Sequence, residues 1–168
     1  MVETLSTRRL RLRPIRRRDA AALAALLEGD AEAISMTERL PDPCTEAAAR
    51  DWIAQRQAPG QQVFAVELRD KAVFLGCAGL FRSGRDSALG YLIGRPYWNR
   101  GYATEAGRAV LEAARRSGIR EILGEAFVEN AASKRVLQKL GFVPIRRIEK
   151  NIPERGGLRQ TLRFRLML

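Results

Sequence analysis

A chain of 168 residues with a formal net charge of +11 and no histidine has room for one ordinary domain, residues 1–168, with a sizeable core. The missing histidine removes serine–histidine triads, histidine-based zinc sites and an imidazole general base. Cys44 and Cys77 stand in unrelated contexts without metal-ligand spacing, so no metal is expected and both read as reduced, small apolar residues. No apolar run approaches bilayer length, and the start Met1-Val2-Glu3-Thr4-Leu5 lacks the basic-then-apolar layout of a signal peptide. A cytoplasmic protein with no membrane partner is the expectation.

Arg9-Leu10-Arg11-Leu12-Arg13 alternates strictly and predicts a strand with one apolar face. Asp19 is the expected cap of an alanine- and leucine-rich helix running to about Gly29, and Thr45 the cap of a second helix reaching about Gln57. Pro59-Gly60 stops that helix. Two strands follow, 63–68 and 73–80, joined at Arg69-Asp70-Lys71; a third run, 88–94, follows a turn at Ser83-Gly84-Arg85-Asp86. From Tyr102 to about Ser117 the apolar residues Ala103, Ala106, Val110, Leu111 and Ala114 recur at helical spacing, closed by Gly118. A strand over 119–128, a helix capped by Asn130 and ending before Gly141, and a hairpin over 142–152 and 158–168 complete the chain. The fold class is therefore α+β in three layers.

The segment Tyr97-Trp98-Asn99-Arg100-Gly101-Tyr102-Ala103-Thr104-Glu105-Ala106 joins a strand to a helix, with glycine where the helix begins. Helix N-termini bind phosphate through unpaired N–H groups and the positive end of the macrodipole. Taken alone, such a junction is more often an ordinary helix start. Asn130 is likewise a cap in its own right.

Together with Thr7-Arg8-Arg9-Leu10-Arg11-Leu12-Arg13, Gly90-Tyr91-Leu92-Ile93 and the run Glu129-Asn130-Ala131-Ala132-Ser133-Lys134-Arg135 through Gly141-Phe142, this segment resembles the GNAT acetyltransferase superfamily and its RimJ/RimL-like branch. The resemblance covers nearly the whole chain. It implies a mixed, mostly antiparallel twisted sheet of about seven strands flanked by about four helices. It also implies acetyl-CoA as donor substrate and a primary amine as acceptor. Leu92 and Ile93 would pair with the pantetheine amides by strand augmentation. The loop Arg100, Gly101, Tyr102, Ala103 and Thr104 would hold the pyrophosphate, Asn130 the pantetheine arm, and Arg135, with Lys134, the adenosine phosphates. Ser133 would face the sulfur and protonate the thiolate, since Leu137 stands where many members carry tyrosine. For the general base the resemblance points to a strand position occupied by Ile152. Glu154 shares its face by alternation, Glu67 is a second candidate, and Glu105 reads as structural.

The acceptor stays open among a protein or peptide N-terminus and small-molecule amines such as amino acids, polyamines and antibiotics. The arginine clusters at both ends attract polyanions. A basic, non-catalytic binding module is the competing class, but no interleaved aromatic platform accompanies the arginines, and nucleic acid is not expected as the primary ligand. A homodimer is admitted, not required.

Overall fold

The structure is a computed structural model and describes residues 3–84 and 86–168. Eight strands form one sheet in the order β1-β2-β3-β4-β5-β6-β8-β7. They are β1 Leu5–Ser6, β2 Leu10–Pro14, β3 Gln62–Leu68, β4 Phe74–Ser83, β5 Asp86–Ile93, β6 Glu121–Phe127, β7 Val143–Ile152 and β8 Gly157–Met167. All neighbours run antiparallel except β5 and β6, which are parallel and pair only at Ala88↔Leu123 and Leu89↔Gly124. Beyond Leu89 the two strands part, and that gap positions the site.

Helices cover both faces. On one side α1 (Ala20–Leu27), α2 (Ala31–Ser35) and α3 (Glu46–Arg56) close a cluster that includes Leu23, Leu27, Ile53, Ala65, Cys77 and Leu92. On the other, α4 (Tyr102–Arg116) and α5 (Ala131–Lys139) seal Leu10, Leu12, Val110, Ile122, Leu137 and Phe164. Strand alternation explains the division: Leu10 and Leu12 are fully buried beneath α4, while Arg11 and Arg13 point to the opposite face and hold Glu67. In α4 the buried residues Ala106, Val110, Leu111 and Ala114 form one helical stripe, and burial of Val110 or Leu111 contributes about 1.5–3 kcal/mol each. A charge at Val110 would open this layer.

The family-sized sheet and flanking helices are as the resemblance implied, with one more strand and one more helix. Both additions, β1 with two residues and α2 with five, are shorter than any periodic pattern can reveal. Asp30 caps α2 by accepting the Ala33 N–H at 3.0 Å. Thr45 and Asn130 cap α3 and α5 as expected, accepting the N–H of Ala48 and Ser133. Asp19 does not cap α1. Its buried carboxylate instead accepts the Arg16 N–H at 2.8 Å and both terminal nitrogens of Arg13, at 2.7 and 2.9 Å. The tertiary partner wins because a bidentate charge-assisted pair outweighs a neutral cap. At the turn joining β4 and β5, Arg85 lies outside the described residues.

Candidate functional site

The gap between β5 and β6 leaves one edge of β5 unclaimed by the sheet. Pairing with β4 alternates from the Ser83↔Asp86 turn, and the Gly94 N–H donates to the Leu75 carbonyl at 2.9 Å. Leu92 therefore bonds to β4, while Tyr91 and Ile93 turn their backbone groups to the gap. The Leu92 carbonyl lies so close over Gly76 that a Cβ there would run into it. This corrects the expectation for Leu92: its side chain lines the cavity, but its backbone is committed. At Ile93 the carbonyl accepts the Trp98 indole N–H at 2.5 Å. The Ile93 N–H and the amide groups of Tyr91 are left to meet an extended ligand.

Trp98 thus braces the loop that leads into α4. Arg95 stacks on its ring at 4.6 Å from the centroid and forms ion pairs with Asp30 and Glu32. Gly101 sits at the N-cap of α4 with φ +78 and offers no side-chain cap. The first-turn N–H groups of α4 therefore lack the usual protein acceptor and are open to an anion. Tyr102, Ala103 and Thr104 line the cavity beside them. Arg100 is exposed and does not line it.

Opposite this cradle, α5 presents Asn130, Ser133 and Arg135 to the same cavity. The Tyr91 hydroxyl reaches across from β5 to Ser133 Oγ at 2.8 Å and donates to the Ser133 carbonyl at 3.1 Å in the alternative arrangement. Burial pushes the Tyr91 phenol up to about 12, partly offset by its bond to Ser133, so it stays protonated at any working pH. Lys134 donates to the Val128 carbonyl at 2.5 Å and is occupied as a cap of the strand–helix turn. Leu137 is fully buried against Gly124, so the position expected for a tyrosine acid is core here.

The cavity, about 850 Å3, continues through the gap to the α3 face of the sheet. There β6 and β8 contribute Glu125 and Arg163, which pair across the strands, and Lys150 of β7 bonds both Glu125 and Glu38. Burial would raise the Glu125 carboxyl, but bonds from Lys150 and Arg163 and their charges outweigh it and leave it lowered. No local pattern marks this carboxylate, because its partners lie 25 and 38 residues away. Glu154 lies exposed on the Pro153–Arg155 turn, outside the cavity lining. Strand alternation from Ile152 fails for it because β7 ends at Ile152. Glu67 is buried on β3, held by Arg11 and Arg13, and also outside the lining. Glu105 is structural: it accepts from Thr7 Oγ1, the Arg9 N–H and Arg9 Nε.

The sequence model described as the acetyltransferase (GNAT) domain matches residues 9–143. YkkB of Bacillus subtilis, an uncharacterised protein, is 33% identical over 148 residues, 82% of this chain and 83% of that one. Among solved structures, RimJ of Mycobacterium smegmatis in complex with CoA-disulfide superposes with a TM-score of 0.84 at 20% identity, covering 99% of this chain and 88% of that one. A ribosomal-protein alanine acetyltransferase of Vibrio fischeri superposes with a TM-score of 0.82 at 15% identity, covering 98% and 96%. At those identities the two structures speak for the fold.

Proposed function

This chain belongs to the GNAT acetyltransferase family, and from that premise we propose that it transfers acetyl from acetyl-CoA to the α-amine of a protein or peptide N-terminus in the cytoplasm. The observation that carries the proposal is the cavity itself. One half offers an uncapped helix start and the Tyr91–Ser133 pair, the other a set of carboxylates already bound to cations. The first half fits a donor with a diphosphate and a thioester; in the second, Glu32, Glu38, Glu125 and Glu129 are each held by arginine or lysine.

Acetyl-CoA supplies the activated acetyl group. The Tyr91 and Ile93 edge of β5 binds and orients the extended arm, and the first turn of α4 holds its diphosphate. The neutral acceptor amine forms the new C–N bond as the C–S bond breaks. Ser133 Oγ–H donates to the departing sulfur while the Tyr91 hydroxyl donates to Ser133 Oγ. The proton lost by the amine leaves to water. Because only the neutral amine reacts, an α-amine titrating near ~7.7–8.0 suits this site better than a lysine near ~10.4. The alanine acetyltransferase of V. fischeri that shares this fold fits the same reading.

The test is competition between a peptide with a free N-terminus and blocked lysines and one with the reverse, with acetyl-CoA binding followed by calorimetry. Preferential acetylation of the lysine peptide, of spermidine or of an aminoglycoside would overturn the α-amine reading.

A further inference from the structure

Residues 36–44 run from the end of α2 toward α3 without entering a helix or strand. Among the described residues, no backbone–backbone hydrogen bond involves residues 38–44. A run with no backbone ladder of its own takes its position from what its side chains and carbonyls meet. Leu40 and Cys44 fasten it on one side, packed in the cluster under α1, α2 and α3, whose strand residues come from β3, β4 and β5. Met36, Thr37, Glu38, Arg39 and Leu40 all line the cavity. Whatever sets this loop therefore sets one wall of the site.

The second fastening comes from the other half of the split sheet. Arg155, on the turn between β7 and β8, is buried. Its Nε donates to the Thr37 carbonyl at 2.7 Å and one terminal nitrogen to the Leu40 carbonyl at 2.5 Å. The other terminal nitrogen donates to the Glu154 carbonyl at 3.0 Å. All three acceptors are backbone carbonyls, so this cation fixes the path of the loop rather than a side chain on it. A planar guanidinium reaches two separate carbonyls at once, which the single ammonium of a lysine does less well. On β7 itself, Lys150 bonds both carboxylate oxygens of Glu38 at 3.2 Å. A loop rooted against β3, β4 and β5 is thus pinned to the β7–β8 hairpin, across the two halves that part beyond Leu89.

We propose that Arg155 is a positioning residue for the acceptor: by holding the Thr37 and Leu40 carbonyls it sets the loop that walls the acceptor half, and with it the affinity for the amine. The proposal rests on the reading of that half as the acceptor side. Arg155 is not itself part of the cavity lining, so it acts through the loop. Tyr91, Ser133 and the first turn of α4 stand on other elements and keep their places without it. Loss of the pin leaves the loop attached through Leu40 and Cys44 but spread over more positions. The amine then meets a complete wall in only a fraction of the molecules, and its apparent affinity falls by that fraction.

Arg155→Met should raise KM for a peptide amine about tenfold, with kcat within about twofold and acetyl-CoA affinity unchanged. Arg155→Lys should recover part of the loss, since an ammonium can still hold one carbonyl. Trypsin gives a readout free of turnover. Arg39 is exposed within the loop, and cleavage after it, followed by fragment mass, should be faster in Arg155→Met and intermediate in Arg155→Lys. Should Arg155→Met fold poorly, Glu38→Gln releases only the Lys150 pin, at a half-buried side chain, and should move KM and cleavage the same way by a smaller factor. An unchanged KM in the folded variant would overturn the proposal. So would a raised KM without faster cleavage after Arg39, or the joint loss of KM, kcat and acetyl-CoA affinity. A wild-type preference for the lysine peptide would refute the α-amine reading, while KM for that peptide still reports on Arg155.

Discussion

Tyr91 and Ser133 meet across the half of the cavity proposed for the donor, phenol oxygen to Oγ at 2.8 Å, from a strand and a helix, the two residues 42 apart in sequence. A phenol has one proton. When it points to Ser133 Oγ, the serine proton is free to face the sulfur; when it points to the Ser133 carbonyl, the serine proton is drawn back to the tyrosine.

Ser133→Ala should therefore lower kcat by about 10²-fold or more, with acetyl-CoA affinity within a few-fold of wild type. Tyr91→Phe should show the same split in weaker form, since Ser133 keeps its hydroxyl and loses only its orienting partner. Rapid-quench turnover beside calorimetry separates the effects. Parallel loss of affinity and turnover would reduce both residues to lining of the groove.

Gly101→Val should abolish measurable acetyl-CoA binding, because its side chain would stand over the open start of α4. The substitution also carries a stability cost. Gly101 has φ +78, where an L-residue is disfavoured by about 1–2 kcal/mol. Gly101→Ala separates the two effects. Its Cβ meets nothing closer than Arg9 Nη2 at 3.5 Å, so it should share most of the strain and retain more affinity. Thermal melts with and without acetyl-CoA measure both. Arg100→Ala should be mild, as Arg100 is exposed.

Elements long enough to show a period were legible in the sequence: α4 from its stripe, β2 from Leu10 and Leu12, α3 and α5 from Thr45 and Asn130. The signatures at 97–106 and 129–142 lie along the half of the cavity proposed for the donor. What stayed hidden depends on contacts distant in sequence. Asp19 reads as a cap until Arg13 and Glu67 are brought beside it, and Glu125 reads as one more surface residue until β7 and β8 deliver Lys150 and Arg163. The apolar run at 88–94 marks the strand, but which of its adjacent residues turns its amide to the gap depends on the register with β4.

Asp19 also predicts an acid limit to stability. Burial would raise its carboxyl, but bonds from Arg13 and the Arg16 backbone, with the charges of Arg13 and Arg18, leave it lowered. A carboxyl lowered in the folded state stabilises fully above its unfolded value near ~3.9 and loses that contribution as pH falls through the folded value. Asp19→Asn should cost about 3 kcal/mol at pH 7, since Arg13 then loses one of its two carboxylate partners and keeps Glu67. Urea titrations of both proteins at pH 7 and at acid pH check this: the gap should narrow below the unfolded carboxyl value. A gap that stays constant with pH would assign the loss to packing rather than to charge.

The pH dependence of catalysis tests whether this site uses a side-chain base at all. Glu125 lies in the half of the cavity proposed for the acceptor and is held as a carboxylate by Lys150 and Arg163. With its pKa lowered, it carries no proton to exchange anywhere near neutrality, so its titration puts no bend in the neutral range. The acceptor amine does: for an α-amine, kcat/KM should rise about tenfold per pH unit and level off near ~7.7–8.0, whereas a lysine acceptor would keep the rate rising toward ~10.4. Glu125→Gln should leave that bend in place while lowering stability, because Arg163 loses its carboxylate partner and Lys150 keeps only Glu38. Rate profiles from pH 6 to pH 10 on wild type and Glu125→Gln, with a peptide acceptor whose amine pKa has been measured by NMR, give the answer. A bend that follows the peptide when its amine pKa is changed belongs to the acceptor. A bend that disappears with Glu125 would show instead that this carboxylate takes the proton, and the amine would then no longer need to arrive neutral.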